Sequence, residues 1–180
     1  MTVQQAMRVN DSNSPPRQRL LAIADLEDTR TLGQALAGIL PARSVVALNG
    51  QLGAGKTHLV QELAAAAGVD RSGVTSPTFV LIHEYRGRLP IYHLDAYRIA
   101  DDDEFLELGP DEYFERDGWT LIEWANRVQR CLPREYLQIE LVITGETTRQ
   151  AVVTAVGAKY EKLLEELDQA LPKRLKARPT

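Results

Sequence analysis

The chain has 180 residues, 44% hydrophobic and 26% charged, which predicts one domain of ordinary size with a real core. A net charge of -4 excludes a global pull toward nucleic acid or anionic lipid, so a role on RNA requires a local basic patch or a partner that does the binding. The single cysteine, Cys131, excludes an internal disulfide and a multi-cysteine zinc site, and no apolar run is long enough to span a membrane, so a soluble cytoplasmic protein is expected.

Met1 to Gln18 are rich in Gln, Asn, Ser and Pro and read as a disordered leader with no secretion signal. The division expected is a leader over residues 1–19, a folded domain over 20–157, and a C-terminal helix and basic tail over 158–180. Asp25 to Leu40 predicts a helix, with Leu32, Ala35, Leu36, Ile39 and Leu40 on one stripe. Asp28 or Thr29 is its expected N-cap, and Pro41 its stop. The valine-rich run Ser44–Leu48 predicts a buried strand, Asn49–Gly55 a glycine loop, and Lys56–Ala67 a helix closed by Gly68. Thr78–Glu84 and Pro90–Leu94 predict two strands joined at Arg86–Gly87–Arg88. Short helices are expected in the acidic stretch Asp101–Gly118, then a buried strand at Trp119–Ile122 and a helix through Asn126 to Cys131. Tyr136–Ile143 and Ala151–Val156 predict a hairpin around Gly145, Ala158–Leu171 an amphipathic helix, and Lys173–Arg178 a basic tail. Strands that first alternate with helices and then form hairpins predict an α/β fold, its mixed sheet having a parallel core and antiparallel additions.

Gly50-Gln51-Leu52-Gly53-Ala54-Gly55-Lys56-Thr57 matches G-x-x-x-x-G-K-[ST] at every position, between a predicted strand and a predicted helix. Glycines let several backbone N–H groups point at phosphates, and the helix start adds the positive end of its dipole. Lys56 is placed to reach the β- and γ-phosphates, and Thr57 to offer its hydroxyl to Mg2+. Gln51, Leu52, Gly53, Ala54, Gly55, Lys56 and Thr57 are therefore the candidate nucleotide-binding residues.

A nucleotidase of this type needs a carboxylate at a strand end to hold the Mg2+ shell or orient water. Asp95 and Glu123 both follow apolar runs, where a parallel sheet presents its ligand crevice; each is alternatively a cap for the next helix. Glu123 follows the more continuous run and is the better candidate, with Asp95 sharing the role. Ser76-Pro77-Thr78 is either a segment that senses the γ-phosphate or a plain turn. His93 is placed to orient Asp95 or to be a packed histidine; His58 is expected on its own helix surface; His83 has no evident partner. The three are not spaced as a metal site. No N-K-x-D motif supports a GTPase, and Asp70-Arg71-Ser72-Gly73 reads as a loop. A kinase would need arginines over the transferred phosphate, for which Arg86, Arg88 and Arg98 are the candidates.

The combination of Leu48–Thr57, Ser76-Pro77-Thr78-Phe79, His93-Leu94-Asp95-Ala96-Tyr97-Arg98 and Glu123-Trp124 resembles the TsaE family, formerly called YjeE. The resemblance runs from about Leu26 to Val156. It implies a three-layer P-loop NTPase fold with a mixed sheet. It implies an ATPase that uses ATP and Mg2+, is slow alone, and acts with TsaD and TsaB to make threonylcarbamoyladenosine in tRNA. In that system TsaD carries out the carbamoyl transfer, and the ATPase sustains repeated turnover. Carried onto this chain, the resemblance makes Lys56, Asp95 and Glu123 the catalytic set. Thr57 and Glu123 hold Mg2+ with Asp95 near it, and Trp124 sits beside the nucleotide. Ser76-Pro77-Thr78 is switch-like, and the segment near Leu26 lies close to the adenine. His58 stands where the family pattern has a second Thr or Ser. tRNA is met through the complex, and the Lys173–Arg178 tail is expected to be a solvated end.

Overall fold

The apolar runs become strands and the striped segments become helices, in the order the pattern predicts. A computed structural model describes residues 17–77 and 80–176. Along the chain lie β1 (Gln18–Ile23), α1 (Leu26–Ile39), β2 (Ser44–Asn49), α2 (Lys56–Ala66), β3 (Ile82–Arg86), β4 (Pro90–Asp95), α3 (Asp102–Glu107), α4 (Pro110–Glu115), β5 (Trp119–Glu123), β6 (Tyr136–Ile143), β7 (Arg149–Val156) and α5 (Ala158–Ala170). The strands form one sheet in the order β1-β7-β6-β2-β5-β4-β3. β2 is parallel to β5 and β6, and β4 is parallel to β5; β3, β7 and β1 add antiparallel partners outside this core.

The core strands are apolar on both faces because both faces are covered. Val46, Leu48, Leu121 and Ile139 pack with Leu32 and Leu36 of α1, Leu59 and Leu63 of α2, and Leu163 and Leu164 of α5. Val45, Ala47, Leu94 and Ile122 face the other way, onto Phe105 of α3 and onto Ala125 and Val128 of a 3-10 segment, Ala125–Cys131. Three layers result. Because β2, β4, β5 and β6 run the same way, their carboxyl ends, Asn49, Asp95, Glu123 and Ile143, gather at one end of the sheet. No described helix is long and apolar enough to cross a membrane.

Several expectations are corrected. Gln18 and Arg19, assigned to the leader, belong to β1, which pairs antiparallel with β7 from Gln18↔Thr154 to Ile23↔Arg149. The remaining leader, residues 1–16, lies outside the described residues. The N-cap of α1 is Asp25, whose side chain accepts from the Asp28 amide at 2.9 Å. Asp28 instead reaches back to accept from the Ala24 amide at 3.0 Å, one residue before the cap. β3 begins at Ile82 rather than Thr78, and Thr78 and Phe79 lie outside the described residues. The helix expected through Asn126 to Cys131 is present, as a 3-10 helix over Ala125–Cys131. The tail is anchored through Lys176, though Lys173 and Arg174 stay exposed: Leu175 is fully buried, its carbonyl accepts from the Ala22 amide at 2.8 Å, and Arg174 pairs with Asp28 at 3.0 Å. An apolar residue set among basic ones anchors this stretch beside β1.

Candidate functional site

At the carboxyl end of β2 the chain enters the glycine loop. Gly50 has φ +134°, and a Cβ there would run into the Leu141 carbonyl oxygen, so only glycine fits. α2 starts at Lys56 behind Gly55, φ +104°, with no side-chain cap, which leaves its first-turn N–H groups available to an anion. Lys56 Nζ donates to the carbonyls of Gly50 at 2.6 Å and Gln51 at 3.1 Å, and lies 3.7 Å from the centre of the Trp124 ring. Burial pulls this ammonium below the ordinary lysine range, and the Glu123 and Asp95 carboxylates push it partly back.

The two acids arrive from neighbouring parallel strands and stand directly opposite one another, Asp95↔Glu123. Glu123 is buried; its Oε2 accepts from Thr57 Oγ1 at 3.0 Å, and its Oε1 lies 2.9 Å from His93 Nε2. Asp95 accepts from Ser76 Oγ at 2.6 Å and from the Tyr97 amide at 2.9 Å. Trp124 follows with φ +57°, a left-handed conformation uncommon for a bulky residue, and its ring centre lies 4.9 Å from that of Tyr97, the two planes tilted by 45°. These groups enclose a cavity of about 390 Å³ lined by Leu52, Gly53, Gly55, Lys56, Thr57, Ser76, Asp95, Glu123 and Trp124, with His58 and Tyr97 at its sides.

Most of the predicted residues thus meet at one place. Gln51 and Ala54 support the loop rather than line the cavity: the Gln51 carbonyl accepts from Lys56 and from the Ala54 amide, and Ala54 is buried. Pro77 is buried beside the site, and Thr78 lies outside the described residues. His93 serves Glu123, not Asp95, because the β4–β5 register turns its ring toward the neighbouring strand. His83 does have partners, the Thr75 carbonyl at 3.3 Å and the Tyr85 hydroxyl at 3.0 Å. His58 lies 3.5 Å from Glu62 on its own helix but is mostly covered, at the side of the cavity and 3.4 Å from Arg71, rather than on an open helix surface. Arg86 and Arg88 flank the β3–β4 turn, at the end of the sheet opposite the glycine loop, and Arg88 donates to the Ala37 carbonyl. That position removes them as arginines for a transferred phosphate. Sequence reasoning missed Arg149, whose guanidinium donates to the Gly53 and Ala54 carbonyls at 3.3 Å and to the Gly145 carbonyl at 3.2 Å. No local signal marks it, since it reaches the loop from β7.

Among the described residues no group of three or more His, Cys, Asp or Glu side chains is set to hold a metal. The donors present, one hydroxyl and two carboxylates, fit Mg2+, which keeps several waters and shares its shell with phosphate oxygens.

A glycine loop opening a helix at the carboxyl end of a parallel strand, with acids on the adjacent strand ends, defines a P-loop-type α/β protein. The family model for threonylcarbamoyl adenosine biosynthesis protein TsaE matches residues 23–151. The tRNA threonylcarbamoyladenosine biosynthesis protein TsaE of Bacillus subtilis is 43% identical over 144 residues, covering 79% of this chain and 89% of the relative. That of Treponema pallidum is 39% identical over 127 residues, covering 71% and 93%. The crystal structure of Bacillus subtilis YdiB superposes with a TM-score of 0.74 at 36% identity, over 87% of this chain and 98% of that one. The chain belongs to the TsaE family.

Proposed function

We propose that this chain is the Mg2+-dependent ATPase of the cytoplasmic machinery that makes threonylcarbamoyladenosine in tRNA. It works with TsaD and TsaB homologues over many turnovers, and meets tRNA through that complex. The observation that carries this reading is the convergence of Lys56, Thr57, Asp95 and Glu123 on one cavity beside the glycine loop. The loop amides and the start of α2 receive the ATP phosphates, and Lys56 leaves its carbonyl partners to neutralise them. Thr57 and Glu123 would hold Mg2+, with Asp95 beside it. The bound ion would supply neutralisation of phosphate charge. Glu123 and Asp95 are placed to orient the attacking water. Leu26, 69% exposed at the start of α1 and at the same end of the sheet, is the proposed neighbour of the adenine.

Slow hydrolysis by the isolated chain follows from the lining of the cavity, which contains no arginine among the described residues. An arginine finger is worth about 10³ to 10⁵ in rate, so a partner that contributes one accelerates the reaction. Ser76, bonded to Asp95, lets the Ser76–Thr78 segment respond to loss of the γ-phosphate and change the surface shown to that partner.

Reconstituted modification of an unmodified tRNA tests this reading. With TsaD and TsaB homologues, threonine, bicarbonate and ATP, many turnovers are expected only when this chain is present, and Lys56→Ala is expected to abolish them along with ATP binding. Full modification by Lys56→Ala, or modification indifferent to the chain, overturns the proposal. Full modification by a Glu123→Ala chain that still binds ATP would reduce the role to nucleotide-dependent assembly.

A further inference from the structure

We propose that His93 is the positioning residue that fixes the Glu123 carboxylate against Thr57; this role rests on the ATPase reading above. His93 lies inside the sheet and is fully buried, on the strand next to Glu123. Its Nε2 lies 2.9 Å from Glu123 Oε1, while its Nδ1 is buried with no hydrogen-bond partner among the described residues. An N–H on Nδ1 would have nothing to accept it among the described residues, and a buried donor without an acceptor is costly. A ring whose N–H sat on Nδ1 would also turn the Nε2 lone pair toward a carboxylate oxygen. Because a carboxylate oxygen can only accept, the contact at 2.9 Å is an N–H of Nε2 donated to Glu123, with the Nδ1 lone pair left without a partner among the described residues.

Each Glu123 oxygen then accepts one hydrogen bond and keeps a second lone pair for a cation or water. Oε1 accepts from His93, and Oε2 accepts from the Thr57 hydroxyl at 3.0 Å. Since the Thr57 proton is spent on Oε2, the hydroxyl presents its lone pairs to the cavity, which is the orientation a cation requires. Without the His93 donor, the carboxylate is free to rotate about its last torsion, and Thr57 loses its fixed acceptor. A histidine behind a carboxylate at a cation site acts through that carboxylate and touches neither ion nor substrate.

The test compares His93→Leu, which fills the volume without a donor, with His93→Gln, whose amide N–H reaches the position of Nε2. ADP binding is measured with and without Mg2+, and the unfolding temperature confirms that both variants fold. His93→Leu is expected to lose about 10- to 100-fold of the Mg2+-dependent gain in ADP affinity while Mg2+-free affinity stays put, and His93→Gln is expected to restore most of the gain. Independently of any ligand, nitrogen NMR of the wild type should show an Nε2–H tautomer with a slowly exchanging proton that shifts in Glu123→Ala. An Nδ1–H tautomer, a His93→Leu chain that keeps the full Mg2+ gain, or a His93→Gln chain as impaired as His93→Leu overturns the proposal. A wild type with no Mg2+-dependent ADP binding, by contrast, overturns the ATPase reading and this role with it, whatever the tautomer.

Discussion

Lys56 is held between opposing pressures. It is buried under the Trp124 ring, which disfavours its charge, while Glu123 and Asp95 favour it. Burial is the larger effect, so its folded pKa lies below the ordinary value of 10.5. Between the folded value and 10.5 the unfolded chain holds a proton that the folded chain has released, so this residue's contribution to stability rises with pH across that window. Urea unfolding of wild type and Lys56→Met, followed from about pH 7 to about pH 10, is expected to show the wild type gaining on the variant as pH rises. A constant difference would remove burial as the dominant influence. Lys56 and Thr57 were legible in the sequence because a phosphate loop is contiguous chain, with each residue's task set by its distance from the next glycine. His93 was visible as a residue, but its partner was not. Asp95, two positions away, was the nearer acid in sequence; strand register made Glu123 the one in contact.

At the scale of elements, α1 and α2 meet at one point where no side chain fits. A Cβ added to Gly33 of α1 would stand 2.7 Å from Glu62 Cβ and 3.0 Å from the Leu63 amide nitrogen. Both are rigid parts of α2, and the Glu62 carboxylate is itself tied to Arg71, so the helices must separate for any larger residue to enter. Gly33→Ala is therefore expected to destabilise by about 1–3 kcal/mol in spite of alanine's better helix propensity. Thermal unfolding measures it, and a neutral or stabilising result would mean that α1 is free to slide. The Leu32–Leu36–Leu40 stripe of α1 was readable from its period, and so was the helix itself. Its bounds agree to within a residue at each end, but the N-cap was set at Asp28 or Thr29 rather than Asp25, because Asp25 and Asp28 are both good capping residues and only the chain's entry angle decides which bonds forward and which bonds back.

Across the whole molecule, the two ends of the described chain close the same flank of the sheet. β1 pairs along β7, and the segment after α5 returns so that the Leu175 carbonyl accepts from Ala22 and Lys176 bridges to Leu21. Leu175→Ala is expected to cost about 2–5 kcal/mol, since a fully buried leucine leaves both lost contacts and a cavity. A change below about 0.5 kcal/mol in denaturant unfolding, as at ordinary surface positions, would show that the tail merely rests on the surface.

By itself the sequence determined the phosphate loop, the buried core strands, the striped helices and the family, because each is written in contiguous residues whose spacing obeys a local period or a local turn. The tertiary structure alone decided that Gln18–Ile23 is a strand, that the basic tail is anchored, that Arg149 braces the loop from β7, and that His93 belongs to Glu123. Each of these depends on which strand lies beside which and in what register. That information is carried by the packing of distant segments and by no short stretch of the chain.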